Sequence, residues 1–173
     1  TGTAVDFYNI DLCDKIGISS LLRTLQVDAV IHFAAFKSVN ESVENPLRYY
    51  HNNIDSLTNL LDAVTDNGIQ YFVFSSSCTV YGTPKTSPVT EDTLLERAES
   101  PYGVTKQLGE RIVADVMKAH RMKGISLRYF NPAGAHESAL IGEFPLQAPT
   151  NLVPVITQTA AGLRPSMHVY GND

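Results

Sequence analysis

Ser100-Pro101-Tyr102-Gly103-Val104-Thr105-Lys106 reads as the start of a helix. Ser100 can cap it, and Pro101 suits the first helical position, where no backbone N–H is needed. Tyr102 and Lys106 then stand one turn apart on the same face. An ammonium near a phenol favours the phenolate, so the pair predicts a tyrosine with a lowered pKa that can give and take a proton. Two matched letters recur by chance. For the spacing alone, a helix with one tyrosine and one solvated lysine is the ordinary reading.

The segments around it give the pair a setting. The helix runs to about His120, with Val104, Leu108, Ile112, Val116 and Met117 as its expected packing face. Ahead of it, Gln70 to Ser76 reads as a strand centred on Phe72-Val73-Phe74. This strand opens into Ser75-Ser76-Ser77-Cys78-Thr79-Val80-Tyr81-Gly82. Hydroxyls at the carboxyl end of a strand lie where an open α/β sheet places ligand groups. A loop whose serines bond their own backbone is the competing reading. Thr83 to Glu99 is polar, contains Pro84 and Pro88, and reads as a surface excursion. Beyond the helix, Gly124 to Phe130 reads as a strand leading into the turn-forming Asn131-Pro132-Ala133-Gly134-Ala135-His136.

Further out the same alternation continues. Ala4 to Ile10 reads as a strand with Asp11 at its end, and Lys15 to Leu25 as a short helix. Asp28 to Phe33 is almost continuously apolar, as expected of a central strand buried on both faces. The small Ala34-Ala35 that follow would let a ligand approach the backbone. A long helix is predicted from Pro46 to Asn67, stopped by Gly68. Leu47, Tyr50, Ile54, Leu57, Leu61 and Val64 form its stripe, packing on the sheet, on a second chain, or both. Asn52 lies near that face and must find partners if buried: a neighbouring loop or a ligand. Asn151 starts a helix to about Gly162, and Met167 to Tyr170 reads as a final short strand. Strands alternating with helices predict an α/β protein with a parallel sheet. No repeat, low-complexity tract or linker interrupts the chain.

Composition narrows the classes. The 173 residues are 43% apolar and 18% charged, which fits a globular domain with a core. Lys+Arg 13 against Asp+Glu 18 gives a net charge of −5, with no basic footprint for nucleic acid. Cys13 and Cys78 sit in no ligand cluster, so no metal site is expected, and a reducing, cytoplasmic setting suits them. No apolar run reaches membrane-spanning length, and no signal peptide opens the chain. The chain does not begin with Met and ends at Tyr170-Gly171-Asn172-Asp173, so a piece of a longer protein is expected.

Taken together, the chain resembles the extended short-chain dehydrogenase/reductase family, and within it the sugar-nucleotide epimerases. The pieces that carry the resemblance are Ile31-His32-Phe33-Ala34-Ala35-Phe36-Lys37 with Ser38-Val39-Asn40-Glu41-Ser42, Pro46 to Asn53, Ser75 to Gly82, Ser100 to Lys106, and Arg128 to His136. Each is a modest signal, and their order is a strong one. Related dehydratases carry an Asp-Glu pair after the threonine of the serine-rich segment, whereas here Thr79 runs directly into Val80-Tyr81. Cys78 stands where alanine is usual in the family.

The resemblance implies a Rossmann-like, doubly wound parallel sheet that is incomplete, its first βαβ unit absent. Residues 1–173 would be a partial NAD-binding domain, and residues 151–173 the start of a substrate-binding region. It implies inversion at C4 of UDP-glucose and UDP-galactose through a 4-keto intermediate. Tyr102 would be the acid/base, with Lys106 holding the NAD ribose and lowering the phenol's pKa. Ser77 would bond the same sugar oxygen. Asp11, Leu12, Phe33, Ala34, Ala35, Lys37, Asn52, Ser75 and Phe130 would line NAD together with Tyr102 and Lys106. Lys37, Asn131, Asn151, Leu152 and Tyr170 would meet the UDP-sugar beside Ser77 and Tyr102. For Asn151 a plain helix cap competes, and for Lys37 a solvated loop lysine. His32 and His136 read as structural. A homodimer through the helices starting at Pro46 and Pro101 is also implied. Two alternatives stay open: another NAD-dependent epimerase, acting on UDP-N-acetylhexosamines or UDP-uronates, and a non-catalytic pairing module built on those two helices.

The family also has a Gly-rich turn whose following helix receives the NAD pyrophosphate, and no GxxGxxG occurs in this sequence. The strand from Ala4 would lack its family neighbour and leave an unpaired edge. These 173 residues alone are therefore expected to bind NAD weakly. An equilibrium titration checks this, and tight binding would contradict it.

Overall fold

The structure is a computed structural model describing residues 2, 4–143, 149, 151–169 and 171. The chain divides into two compact units, residues 1–129 and 130–173. In the first unit the order is α1 (Lys15–Thr24), β1 (Ala29–His32), α2 (Val39–Glu44), α3 (Pro46–Tyr50), a π-helical turn (His51–Asp55), α4 (Ser56–Asp66), β2 (Tyr71–Ser75), a 3₁₀ turn (Cys78–Tyr81), α5 (Pro101–His120) and β3 (Lys123–Leu127). The three strands form one parallel sheet in the order β1-β2-β3.

The register explains which face is packed. Val30 pairs with Phe72, which pairs in turn with Gly124, and His32 pairs with Phe74, which pairs with Ser126. Alternation along each strand puts this row on one face. Phe72 and Phe74 meet Leu57, Leu60, Leu61, Val64 and Val113 there, with Ile18 and Leu22 of α1 completing the core. The opposite row is Ile31, Val73 and Ile125, and Ile31 is 59% exposed. The expectation of a strand buried on both faces is therefore corrected. β1 is an edge strand, and helices cover one face among the described residues.

Residues 4–10 carry no strand ladder, and Val5 and Phe7 point into solvent. A strand exists only through a partner, and the free edge of β1 does not supply one here. The start of the chain therefore departs from the Ala4 to Ile10 expectation.

The long helix departs in phase rather than extent. Residues 46–66 are helical throughout, and Gly68 closes the run at φ +66°. The π turn widens one coil, so the inward line is Tyr49, Asn53, Leu57, Leu61, four residues apart. Leu47, expected in the stripe, is exposed. In α5 the most buried line is Tyr102, Lys106, Gly109 and Val113; Ile112, Val116 and Met117 pack against the core as expected, whereas Leu108 is 43% exposed.

Gly109 is where α5 comes closest to the sheet. A Cβ there would stand 2.5 Å from Phe74 Cζ, with Leu57 Cδ2 at 3.4 Å behind it. Helix and strand meet through the missing side chain, which brings Tyr102 and Lys106 down onto the end of β2.

The second unit contains α6 (Leu152–Ala160). Asn151 occupies its cap position, but its side chain accepts no cap hydrogen bond. Residues 167–169 form no strand, and Tyr170 lies outside the described residues.

Gly109→Ala should cost ~1–3 kcal/mol through displacement of Phe74. Chemical denaturation checks it, reading a fall in the midpoint at an unchanged slope.

Candidate functional site

The helix start forms as its residues dictate. Ser100 Oγ accepts from Gly103 N at 3.1 Å, and Pro101 occupies the first turn. Tyr102 and Lys106 follow on the inward face, 8% and 5% exposed. Lys106 Nζ donates to Ser75 O at 2.6 Å and lies 5.1 Å from the Phe74 ring centroid and 5.8 Å from that of Tyr102. The last carbonyl of β2 thus receives the ammonium.

The serine segment arrives from the other side. After Ser75 the chain leaves the sheet, and Ser77 caps the 3₁₀ turn, its Oγ accepting from Thr79 N at 3.3 Å. Cys78 N donates to Tyr129 O at 2.8 Å, holding the segment beside the end of β3. The buried Ser77 hydroxyl also lies beside the Tyr102 phenol, close enough to lower its proton affinity. Ser77, Tyr102 and Lys106 therefore stand together, as expected from sequence. The serines bond their own backbone as well, so the two readings of that segment hold at once.

Electrostatics qualify the sequence expectation. Burial drives the Tyr102 phenol above its ordinary value, the neighbouring Ser77 hydroxyl works against it, and Cys78 adds to the rise. The depressed phenol expected from Lys106 is not the resting state of this site. Desolvation lowers Lys106 itself to about 8. It also lowers His32 to about 4, with the Lys106 charge adding to it. His32 is buried and stacks on Phe74 at 6.1 Å, in keeping with a structural imidazole.

Asn53 is a residue that sequence reasoning missed. Asn52, the one singled out, is half-buried and donates to Asn53 Oδ1 at 2.9 Å. The π turn carries Asn53 inward instead. Its Oδ1 accepts from Phe36 N at 2.8 Å, while Nδ2 donates to Phe36 O at 3.0 Å and Thr105 Oγ1 at 3.2 Å. Thr105 Oγ1 donates in turn to Tyr102 O at 2.7 Å. One side chain therefore ties the loop after β1 to the first turn of α5. Only the Asn52-Asn53 doublet hinted at it.

Tyr49 closes the back of the site. It is fully buried, and its ring meets Tyr102 edge-on at 6.5 Å. Its hydroxyl accepts from Ser38 N at 3.0 Å and donates to Glu41 Oε2 at 2.9 Å. Phe33, Ala34 and Lys37 are exposed past the end of β1, with Ala35 half-buried. Asp11 spends its side chain on Cys13 N at 2.8 Å, and Leu12 O accepts from Asn59 Nδ2 at 3.2 Å.

In the second unit Phe130, Asn131, Asn151 and Leu152 are exposed. His136 Nδ1 pairs with Ser138 Oγ at 2.8 Å, consistent with a turn-forming role. Ala133, Gly134 and Ala135 line a pocket with Val153 and Thr157 of α6.

Residues 1–173 match the family described as GDP-mannose 4,6 dehydratase. A UDP-glucose 4-epimerase of Drosophila melanogaster is 49% identical over all of this chain and half of its own length. One from Bacillus subtilis is 47% identical over all of this chain and 51% of its own. Among solved structures, a UDP-glucose-4-epimerase from Stenotrophomonas maltophila, with bound NAD and formylated UDP-arabinopyranose, superposes at a TM-score of 0.92. It is 47% identical and covers 99% of this chain and 51% of its own. One from Bifidobacterium longum, in complex with NAD+ and UDP, gives 0.88 at 43% identity, covering 94% of this chain and 49% of its own. The chain spans about half the length of the curated relatives it matches.

The buried Lys106 sets a pH dependence. Between its folded value of about 8 and the ordinary 10.5, the unfolded chain binds the extra proton, so stability rises with pH through that window. Relative to Lys106→Met, the parent should gain on the order of 3 kcal/mol between pH 7 and the top of it. Urea melts of both proteins across pH check this, and parallel curves would contradict it.

Proposed function

Since the chain belongs along its whole length to the GDP-mannose 4,6-dehydratase family, of extended short-chain dehydrogenase/reductase type, we propose that it is the catalytic half of an NAD-dependent UDP-glucose/UDP-galactose 4-epimerase. One observation carries the proposal: a buried Ser77, Tyr102 and Lys106 meeting at the carboxyl end of β2. The relatives are epimerases, although the family bears a dehydratase's name. Thr79 followed by Val80 and Tyr81 fits the former, since a 4,6-dehydratase needs an acid there to expel a hydroxyl.

The polar groups at the site fit a dinucleotide and a sugar. The Lys106 ammonium has three N–H donors, and Ser75 O takes one of them. Thr79 Oγ1 is buried without a partner. Neither condition suits an apolar core, and both suit a hydroxyl-rich ligand. NAD, when bound, supplies the reversible acceptance of hydride. Lys106 would hold its ribose, and Phe33, Ala34, Ala35, Lys37, Asn52, Ser75 and Phe130 would border it, with Asp11 and Leu12 at the adenine.

Proton handling falls to this chain's own side chains. Tyr102 would receive the proton of the sugar 4-hydroxyl and return it to the same oxygen, the inversion coming from return of hydride to the other face of C4. Ser77 orients that oxygen and relays the proton. Burial keeps the phenol protonated in the resting site, and the positive charge that NAD would supply when bound would favour the phenolate. Asn131, Asn151, Leu152 and Tyr170, with Lys37, would meet the UDP-sugar. Exposed Leu47 and Leu108 support a homodimer through the helices starting at Pro46 and Pro101. A cytoplasmic setting completes the proposal, with Cys13 and Cys78 as free thiols.

The test is conversion of UDP-galactose to UDP-glucose by the product of the complete reading frame that carries this sequence. Tyr102→Phe should lower kcat by about 10²–10⁴-fold and leave KM close to the parent's. Full activity in the variant would remove Tyr102 from the chemistry.

A further inference from the structure

A second polar cluster stands behind the hydroxyls, and the proton path does not use it. Glu110 lies one turn along α5 from Lys106 and two from Tyr102. Its side chain is 13% exposed. Glu110 Oε1 accepts from Ser76 Oγ at 2.5 Å and from Arg128 Nε at 2.9 Å, and Oε2 accepts from Arg128 Nη2 at 2.8 Å. Arg128, just past β3, also donates through Nη1 to the Tyr81 hydroxyl at 3.2 Å, and its guanidinium lies 5.0 Å from the Tyr81 ring centroid. The Tyr81 hydroxyl donates to Thr90 O at 3.1 Å.

Ser76 and Tyr81 bracket the four residues Ser77 to Val80. The segment presenting the Ser77 hydroxyl is therefore fastened at both ends to one ion pair. The carboxylate of that pair rides on the helix that carries Tyr102. We infer that the Glu110–Arg128 pair is a positioning device for proton transfer, holding Ser77 Oγ on the Tyr102 phenol by tying the serine segment to α5 at Ser76 and Tyr81.

Stability alone does not account for this arrangement. A partly buried ion pair gives back much of its attraction in desolvation, and apolar packing of equal volume often holds a fold as well. A two-pronged guanidinium–carboxylate contact adds direction, fixing distance and angle together. Proton transfer depends on that kind of precision, because a misplacement of ~1 Å can cost about a hundredfold in rate.

The experiment separates positioning from plain support. Ser76→Ala combined with Tyr81→Phe removes both hydrogen-bonded ties and leaves the ion pair and the guanidinium–ring contact in place. Tyr102 is titrated by tyrosinate difference absorbance against a matched Tyr102→Phe background. The titratable groups around the phenol are Lys106 on its own helix, Tyr49 from α3 and Cys78 from the segment, and every variant keeps them. The Tyr102 titration should move to higher pH, in the direction given by Ser77→Ala. In the product of the complete reading frame, kcat should fall about ten- to a hundredfold with KM for the sugar nucleotide little changed. If the double variant does not fold, Ser76→Ala alone should give a smaller shift of the same sign. A folded variant whose Tyr102 titrates with the parent overturns the inference. The kcat arm rests on the epimerase proposal. A parent without epimerase activity would reject that proposal and leave the phenol titration to decide this one.

Discussion

The ammonium of Lys106 is the constraint on which the first unit depends. A charge in a nearly closed position is costly unless something receives it. Here the last carbonyl of β2 does so, at 2.6 Å. That contact requires α5 to lie low over the sheet, and the absent side chain of Gly109 above Phe74 makes this possible. The same descent brings the Tyr102 phenol to the Ser77 hydroxyl. Helix packing, the buried cation and the tyrosine are thus one arrangement.

Around this contact the polar side chains act as ties between elements. Asn53 binds both backbone groups of Phe36 and reaches Thr105, so the loop leaving β1 and the head of α5 share a partner. Glu110 binds Ser76 and Arg128, so the segment leaving β2 and the end of β3 share another. The ends of β1, β2 and β3 are therefore held by directed bonds to the helix bearing Tyr102. Burial supplies the second half of the design. It lowers Lys106 to about 8 and raises Tyr102, so the two values cross and move apart, and the resting site keeps its proton on the phenol.

Much of this was legible in the chain. Ser100, Pro101 and the four-residue step from Tyr102 to Lys106 predicted a helix, and the helix begins where those residues place it. Local signals carry such information because caps, prolines and periodicity act within a few residues. Ser77 beside Tyr102 was reachable only through the resemblance to the family, which lines the two segments up with its site. The phase of the helix after Pro46 was not. One widened turn replaces Leu47 and Tyr50 with Tyr49 and Asn53 on the inward side, and periodicity assumes an unbroken 3.6-residue turn. Asn52 was favoured over Asn53 for that reason. The strand expected from Ala4 failed for a different reason, because a strand is a property of two segments and a sequence pattern describes one.

The sequence by itself determined the alternation of β1, β2 and β3 with helices and the parallel sheet, while the grouping of Ser77, Tyr102 and Lys106 came through the family resemblance. Only the tertiary structure decided how far each is buried, and with that the direction of every shift in proton affinity. It also decided which asparagine turns inward, and that Glu110 and Arg128 join three elements that are far apart in the chain. The physical reason is range. Caps and hydrophobic periods are settled by neighbours in the chain, whereas desolvation and bidentate contacts depend on atoms brought together from distant segments.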